Sequence, residues 1–296
     1  MFIRTVLCAL CIVFVGVTNI GCGGGAGSAG GSSGTVVPQC SSDTFASSLY
    51  SVNTSISGQN GWYVDLIANF DEKILDVGSQ ACRGKGVWQL SNKVTSGGFG
   101  NQPMSPTQNT SAGESTVRDP GGGDSMAISF YIRTVSGNAD GSAFTLSFSP
   151  DSADRHTYLR FVNDENTDRG FRMFAIDGAG LTSHDVKNNM TRATWMHIQI
   201  ESENPDGGSN DIVRVYVDGV LVDTHTSWED WRTALPATTL SISRVLFRIN
   251  ALPSAEGPFI DNQALGFYID DFRQWTYNAS NPSVHIEEYK TGFEVL

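Results

Sequence analysis

The sequence has 296 residues, 40% hydrophobic and 17% charged, enough apolar material to bury a core and too much for a disordered or fibrous chain. With 19 Lys and Arg against 31 Asp and Glu the formal net charge is −12, which argues against a nucleic-acid partner. The 32 glycines, many beside Ser, Asn or Asp and separated by short β-branched and aromatic runs, predict an all-β domain with many turns.

At the N-terminus, Arg4 and the apolar run from Thr5 to Val17 have the length of an export signal and are too short to span a bilayer. The run ends in Thr18, Asn19, Ile20, Gly21 and Cys22, and the tract GGGAGSAGGSSG follows at once. A small residue before a cysteine at this point resembles a bacterial lipoprotein signal, in which the cysteine becomes the lipidated first residue. That resemblance implies a signal peptide over 1–21, lipidation at Cys22 and export to the bacterial cell envelope. Ordinary cleavage and free secretion is the alternative. The Gly/Ser-rich stretch 22–39 is then a flexible tether. Cys8 and Cys11 leave with the signal, so Cys40 and Cys82 are the remaining pair and are expected to form one disulfide in an exported protein. Two cysteines with no clustered histidines are too few ligands for zinc.

From Cys40 onward no second linker appears, so 40–277 reads as one domain and 278–296 as a C-terminal tail. Strands are predicted near 62–70, 86–94, 125–135, 142–149, 156–163, 170–177, 194–203, 212–224, 241–250 and 266–277. Met126, Ile128, Phe130 and Ile132 alternate with Ala127, Ser129, Tyr131 and Arg133, and Phe144, Leu146 and Phe148 alternate with Thr145, Ser147 and Ser149. Half-buried antiparallel strands have this period, and two such sheets stack. Asp218-Gly219 between VRVYV and VLVDT predicts a two-residue hairpin turn. The stretch from Trp228 to Ala234 is compatible with a single helical turn.

The order TWMHIQIE, a Pro-Asp-Gly-Gly turn and DIVRVYVDGVLVD over Thr194 to Asp223 resembles the core signature of the laminin-G-like, concanavalin A-like jelly rolls. FYIDDFRQW, from Phe267 to Trp275, is similar to the closing strand of that superfamily. GVWQLSN (86–92), FGNQPMSP (99–106) and TSWEDWR (226–232) resemble segments of bacterial exported jelly rolls. The resemblance spans most of 60–277 and implies an all-β, two-sheet antiparallel jelly-roll sandwich. It also implies that Asp271 stands where relatives tie a structural calcium to the N-terminal strand. The superfamily holds lectins, glycosidases, lyases and adhesion domains, so it does not settle activity.

Chemistry is therefore read residue by residue. A retaining glycosidase needs two carboxylates about 5 Å apart, and the E-x-D-x-x-E pattern is missing. Glu201 and Glu203 at a strand end read as solvated charges. A lyase acting on a uronate polymer needs Tyr or His for proton transfer and Arg, Gln or Asn to neutralise the carboxylate. Tyr131 with Arg133, Tyr158 with Arg160, and His197 with Gln199 are i, i+2 pairs, each projecting one way, and Arg244 and Arg248 form a further pair. Ten of the fourteen arginines lie between 133 and 248, which suits an acidic polysaccharide partner despite the net negative charge. Against this, His197 belongs to the fold signature, and arginines on strand faces commonly pair with Asp and Glu. YKTGFE (289–294) resembles a lyase motif only superficially, since it falls in the tail. Trp228 and Trp231 are candidate sugar-stacking residues or loop packing. Two function classes follow: a membrane-tethered polysaccharide-binding module, with Tyr131, Arg133, Arg160, Gln199, Arg248, Trp228 and Trp231 as ligand contacts, and a lyase with Tyr158 and His197 as its catalytic pair. The lyase requires its residues to line one face. In a binding module they divide between sheets or are tied up by carboxylates.

Overall fold

The computed structural model describes residues 40, 49–64, 72–90, 102–108, 124–149, 155–164, 169–177, 182–204, 210–228, 242–250 and 265–295. Cys22 and Trp231, and the helical turn expected beyond Trp228, lie outside them. The described residues form an all-β jelly-roll sandwich of two antiparallel sheets. Thirteen strands run in chain order: β1 (Glu72–Asp76), β2 (Gly86–Leu90), β3 (Ser125–Thr134), β4 (Ala143–Ser149), β5 (Leu159–Asn163), β6 (Phe171–Ile176), β7 (Ser183–Met190), β8 (Met196–Glu203), β9 (Ile212–Val217), β10 (Val220–His225), β11 (Arg244–Asn250), β12 (Phe267–Asn278) and β13 (Asn281–Thr291).

The larger sheet has the order β1-β2-β12-β3-β8-β9-β10, with β13 also on β12, and the smaller has the order β11-β4-β5-β6-β7. One edge of β12 pairs with β3. Its other edge is shared end to end, Phe267 to Ile269 with β2 and Phe272 to Asn278 with β13. A register shift between Asp270 and Arg273 marks the change, and Asp271 takes a positive φ of 48° there. The extra residue of this bulge keeps Phe272 in the core alongside Phe267 and Ile269.

The predicted alternation becomes the core. Ile128, Phe130 and Ile132 from the larger sheet meet Phe144, Leu146 and Phe148 from the smaller in one apolar cluster. Phe144 stacks on Phe161 at 4.7 Å, and Trp88 meets Phe247 edge-on at 4.9 Å. Each large apolar side chain removed from water stabilises the fold by about 1.5–3 kcal/mol. A buried indole also needs an acceptor. Trp88 Nε1 donates to Glu72 at 2.8 Å and Trp62 Nε1 to the Tyr289 hydroxyl at 3.1 Å. The Asp218-Gly219 hairpin forms as predicted, both residues at positive φ (50° and 76°), as a tight turn between twisted strands requires.

Three differences from the sequence reading have physical causes. The strand expected over 62–70 is, where described, a loop whose Trp62 and Val64 are buried and whose Tyr63 makes an isolated bridge to Met104. In β7, only Val186 and Met190 of SHDVKNNM are buried, so no period-two signal marks this edge strand. The expected tail is β13, a largely exposed edge strand beside β12, and Tyr289 of YKTGFE anchors it to Trp62 and Tyr50. Cys40 and Cys82 are joined in a disulfide with a Cα separation of 5.7 Å.

Candidate functional site

The outward face of the smaller sheet gathers arginines and aromatic rings. Leu159 and Phe161 point into the core, so Arg160 points out, as do Phe174 on β6 and Arg248 on β11. Register places Arg248 opposite Thr145, Thr145 opposite Arg160, and Arg160 opposite Phe174, one row across four strands. The guanidinium of Arg160 lies 5.9 Å from the Phe174 ring centre, and that of Arg172 lies 5.0 Å from it. Arg172 is also paired with Asp164 and Asp185 at 3.3 and 3.4 Å. The Arg160 Nε is buried without a hydrogen-bond partner among the described residues. Arg244, at the far end of β11, donates to the Thr107 hydroxyl.

Next to this row Tyr158 and Trp228 form a plate. Their rings stack at 5.9 Å with planes 7° apart, and the indole Nε1 is fixed by a 2.8 Å bond to the Ile176 carbonyl. Tyr158, Trp228, Arg160, Phe174 and Arg248 are half-buried, and Thr145 between the two arginines is buried. Guanidinium groups beside aromatic faces can pair with carboxylates while sugar C–H faces stack on the rings.

The other candidates stand on the outward face of the larger sheet. Tyr131 sits opposite His197 with ring centres 5.0 Å apart. Tyr131 belongs to a second apolar cluster with Leu75, Val87, Trp195 and Tyr268, against which Cys40 and Cys82 pack. The Arg133 guanidinium lies 5.9 Å from both the Trp195 and the Tyr268 ring centres, and burial holds its pKa below the ordinary arginine value. The turn beside Cys82 closes over this cluster, because Trp195 Nε1 donates to the Gln80 carbonyl and the Arg83 amide to Asp270. Gln199 donates to Glu201 at 2.8 Å, and Arg214 pairs with Glu203 at 2.6 Å. Glu201 and Glu203 are thus a charge network with Arg214, not a carboxylate dyad.

The seven polar residues required to line one face therefore divide. Tyr131, Arg133, His197 and Gln199 lie outside the larger sheet, and Tyr158, Arg160 and Arg248 outside the smaller. Tyr158 and His197 are not brought together, because β5 and β8 belong to different sheets and the core lies between their outward faces. Sequence parity correctly separates inward from outward residues but carries no information about which sheet a strand joins.

Asp270, Asp271 and Glu294 stand around the β12 bulge. Asp271 is fully buried with its Oδ1 3.8 Å from Arg83 Nε. Asp270 Oδ2 accepts from the Arg83 amide, and Glu294 lies against Gly84 and Gly292. Burial first, then the neighbouring charge of Asp271, holds the Asp270 pKa well above the usual carboxylate range. Among the described residues only His184, Asp223 and His225 bring three ligand atoms within 4.8 Å of one another, so the carboxylates of Asp270, Asp271 and Glu294 do not converge on one point. The expectation that histidines are unclustered does not hold: His184 and His225 flank Asp223, a grouping created by the approach of β7 and β10 and invisible in sequence spacing.

No family model matches this sequence, and no curated protein matches it. Among solved structures, the chain is similar to a sialidase at 14% identity and a TM-score of 0.39, covering 80% of this chain and 19% of that one. It is also similar to alginate lyase Aly36B in complex with alginate trisaccharide, at 11% identity and a TM-score of 0.42 over 77% and 92% of the two chains. A galectin from Caenorhabditis elegans matches at 11% identity and a TM-score of 0.29 over 61% and 91%. The chain spans about a fifth of the sialidase's length.

Proposed function

We propose that this chain is an exported polysaccharide-binding module, and that it holds an acidic glycan on the outward face of the smaller sheet. The observation carrying this reading is the row Arg248, Thr145, Arg160 and Phe174, set in register beside the stacked Tyr158 and Trp228. The guanidinium groups supply bidentate donors for uronate carboxylates, and the aromatic plate supplies a stacking surface for the sugar ring. The division of the lyase set between two sheets supports binding over β-elimination, since proton transfer needs Tyr158 and His197 within reach of one sugar carbon. Lipidation at Cys22 and the glycine-rich stretch after it would hold the module at the cell envelope on a flexible leash. The same proposal includes a structural calcium at Asp271, on the ground of the resemblance of the closing strand.

Affinity electrophoresis through gels containing alginate, pectate or a neutral glucan tests the reading. Retardation is expected in the acidic polymers only, weakening with salt. Arg160→Ala with Arg248→Ala should weaken it by about tenfold or more, each charge-assisted contact being worth about 1.5–3 kcal/mol. Equal mobility in all gels would refute binding. Growth of an absorbance band at about 235 nm during incubation would replace it with the lyase reading.

A further inference from the structure

The two sheets approach one another along their free edges at β7 and β10. His184 stands near the start of β7, and Asp223 and His225 are i, i+2 neighbours near the end of β10, just past a register shift between Leu221 and Asp223. Asp223 Oδ2 lies between the two imidazoles, 3.1 Å from His184 Nε2 and 2.7 Å from His225 Nδ1. The rings meet edge-on with centres 5.4 Å apart. One ligand atom from each residue lies within 4.8 Å of the other two. The His225 side chain is 1% exposed and that of Asp223 14%, whereas His184 is 36% exposed and open to solvent.

We propose that His184, Asp223 and His225 form a zinc site that clips the edge of the smaller sheet to the edge of the larger. Zinc binds imidazole nitrogen and carboxylate oxygen at about 2.0–2.2 Å, which sets tetrahedral ligand atoms roughly 3.4 Å apart. These two separations fall short of that spacing by less than about 1 Å, an adjustment within the reach of side-chain torsions. Two imidazoles and one carboxylate suit a borderline-soft ion. Calcium and magnesium instead require six or more oxygens. The exposed side of His184 leaves the fourth position to water. Asp223 lies on one sheet edge and His184 on the other, so the ion links two elements that share no backbone ladder. A second polar link crosses nearby, where Thr226 Oγ1 donates to Asp177 at 2.5 Å. The site is separate from the arginine face and from the Asp271 cluster, and it does not depend on the glycan reading.

The test uses the full chain without a histidine tag, stripped with chelator and returned to calcium so that the Asp271 cluster is filled throughout. Zinc is titrated calorimetrically, and cobalt serves as a spectroscopic substitute. One zinc per chain is expected, with a rise in Tm and visible cobalt bands of tetrahedral intensity. His184→Ala, on an edge strand and part-exposed, should fold and lose at least about tenfold in zinc affinity along with the cobalt bands. Asp223→Asn should do the same, and His285→Ala, elsewhere on the larger sheet, should change neither. Absence of stoichiometric zinc binding by the parent overturns the proposal, and so does undiminished binding by His184→Ala.

Discussion

Arg133 and Arg160 look alike in the sequence, each two residues after a tyrosine on a strand, and the structure gives them different work. Arg133 lies over Trp195 and Tyr268 under the turn beside Cys82, and Arg160 lies in the part-buried row beside Phe174 on the other sheet. Arg133→Ala should therefore lower stability by about 1–3 kcal/mol and leave polysaccharide retention unchanged, whereas Arg160→Ala should weaken retention with little change in stability. Denaturant midpoints and gel retardation measured on both variants check the crossover, and matching profiles would contradict it. His197 offers a pH test. Burial first, and Arg273 in addition, depress its pKa, with Asp218 opposing. Between that depressed value and the ordinary about 6.5, the unfolded chain binds more protons than the folded one, so stability rises with pH through the window and is lower below it. The urea midpoint should fall between about pH 7.5 and about pH 5, and fall less in His197→Gln. An identical slope in the variant would assign the dependence to other groups.

Strand β2 begins at Gly86, where a Cβ would stand 1.8 Å from the Phe293 carbonyl oxygen. This contact is with backbone just after β13, so neither rotamer change nor side-chain motion relieves it. Gly86→Ala should cost about 3 kcal/mol or more, read as a shifted midpoint in urea with an unchanged slope. A midpoint within error of the parent would mean that the chain after β13 yields freely. Strands such as β3, β4 and β8 were legible because only the face packed against the opposite sheet is apolar, which imposes period two on their residues, although in β3 and β4 the polar face, expected to be solvated, is buried as well. Edge strands β7 and β13 bury few side chains, and their sequences accordingly carry almost no pattern. The site was legible to the same extent. Tyr158, Arg160 and Arg248 could be recognised as outward-facing, but their association with Phe174 and Trp228, and their separation from His197, depend on strand order. Strand order is set by contacts between distant segments, as is the meeting of His184 with His225.

At the scale of the molecule one covalent tie joins distant segments, and the proposed calcium would add a second. The Cys40–Cys82 disulfide spans 42 residues, and for a loop of that size the entropy model gives roughly 4 kcal/mol of stabilisation. Replacing both cysteines with serine should lower the unfolding free energy by an amount of that order, and a negligible change would show that the remaining structure already restrains the loop. Calcium at the Asp271 cluster should raise Tm when added to chelated protein, through its preference for the folded state, and Asp271→Asn should abolish the rise. A flat response in the parent would remove the ion from that cluster. The placement of β12 also has a consequence for biogenesis. This strand is near the end of the chain in sequence and in the middle of the larger sheet in space, flanked by β2 and β3 from its beginning. A growing polypeptide that stops short of residue 267 has no central strand to join those two, so the barrier of long-range pairing is met only once most of the chain has been made. For the exported module proposed above, which would thread through a secretion pore in extended form, such lateness would keep the sandwich from closing on the wrong side of the membrane.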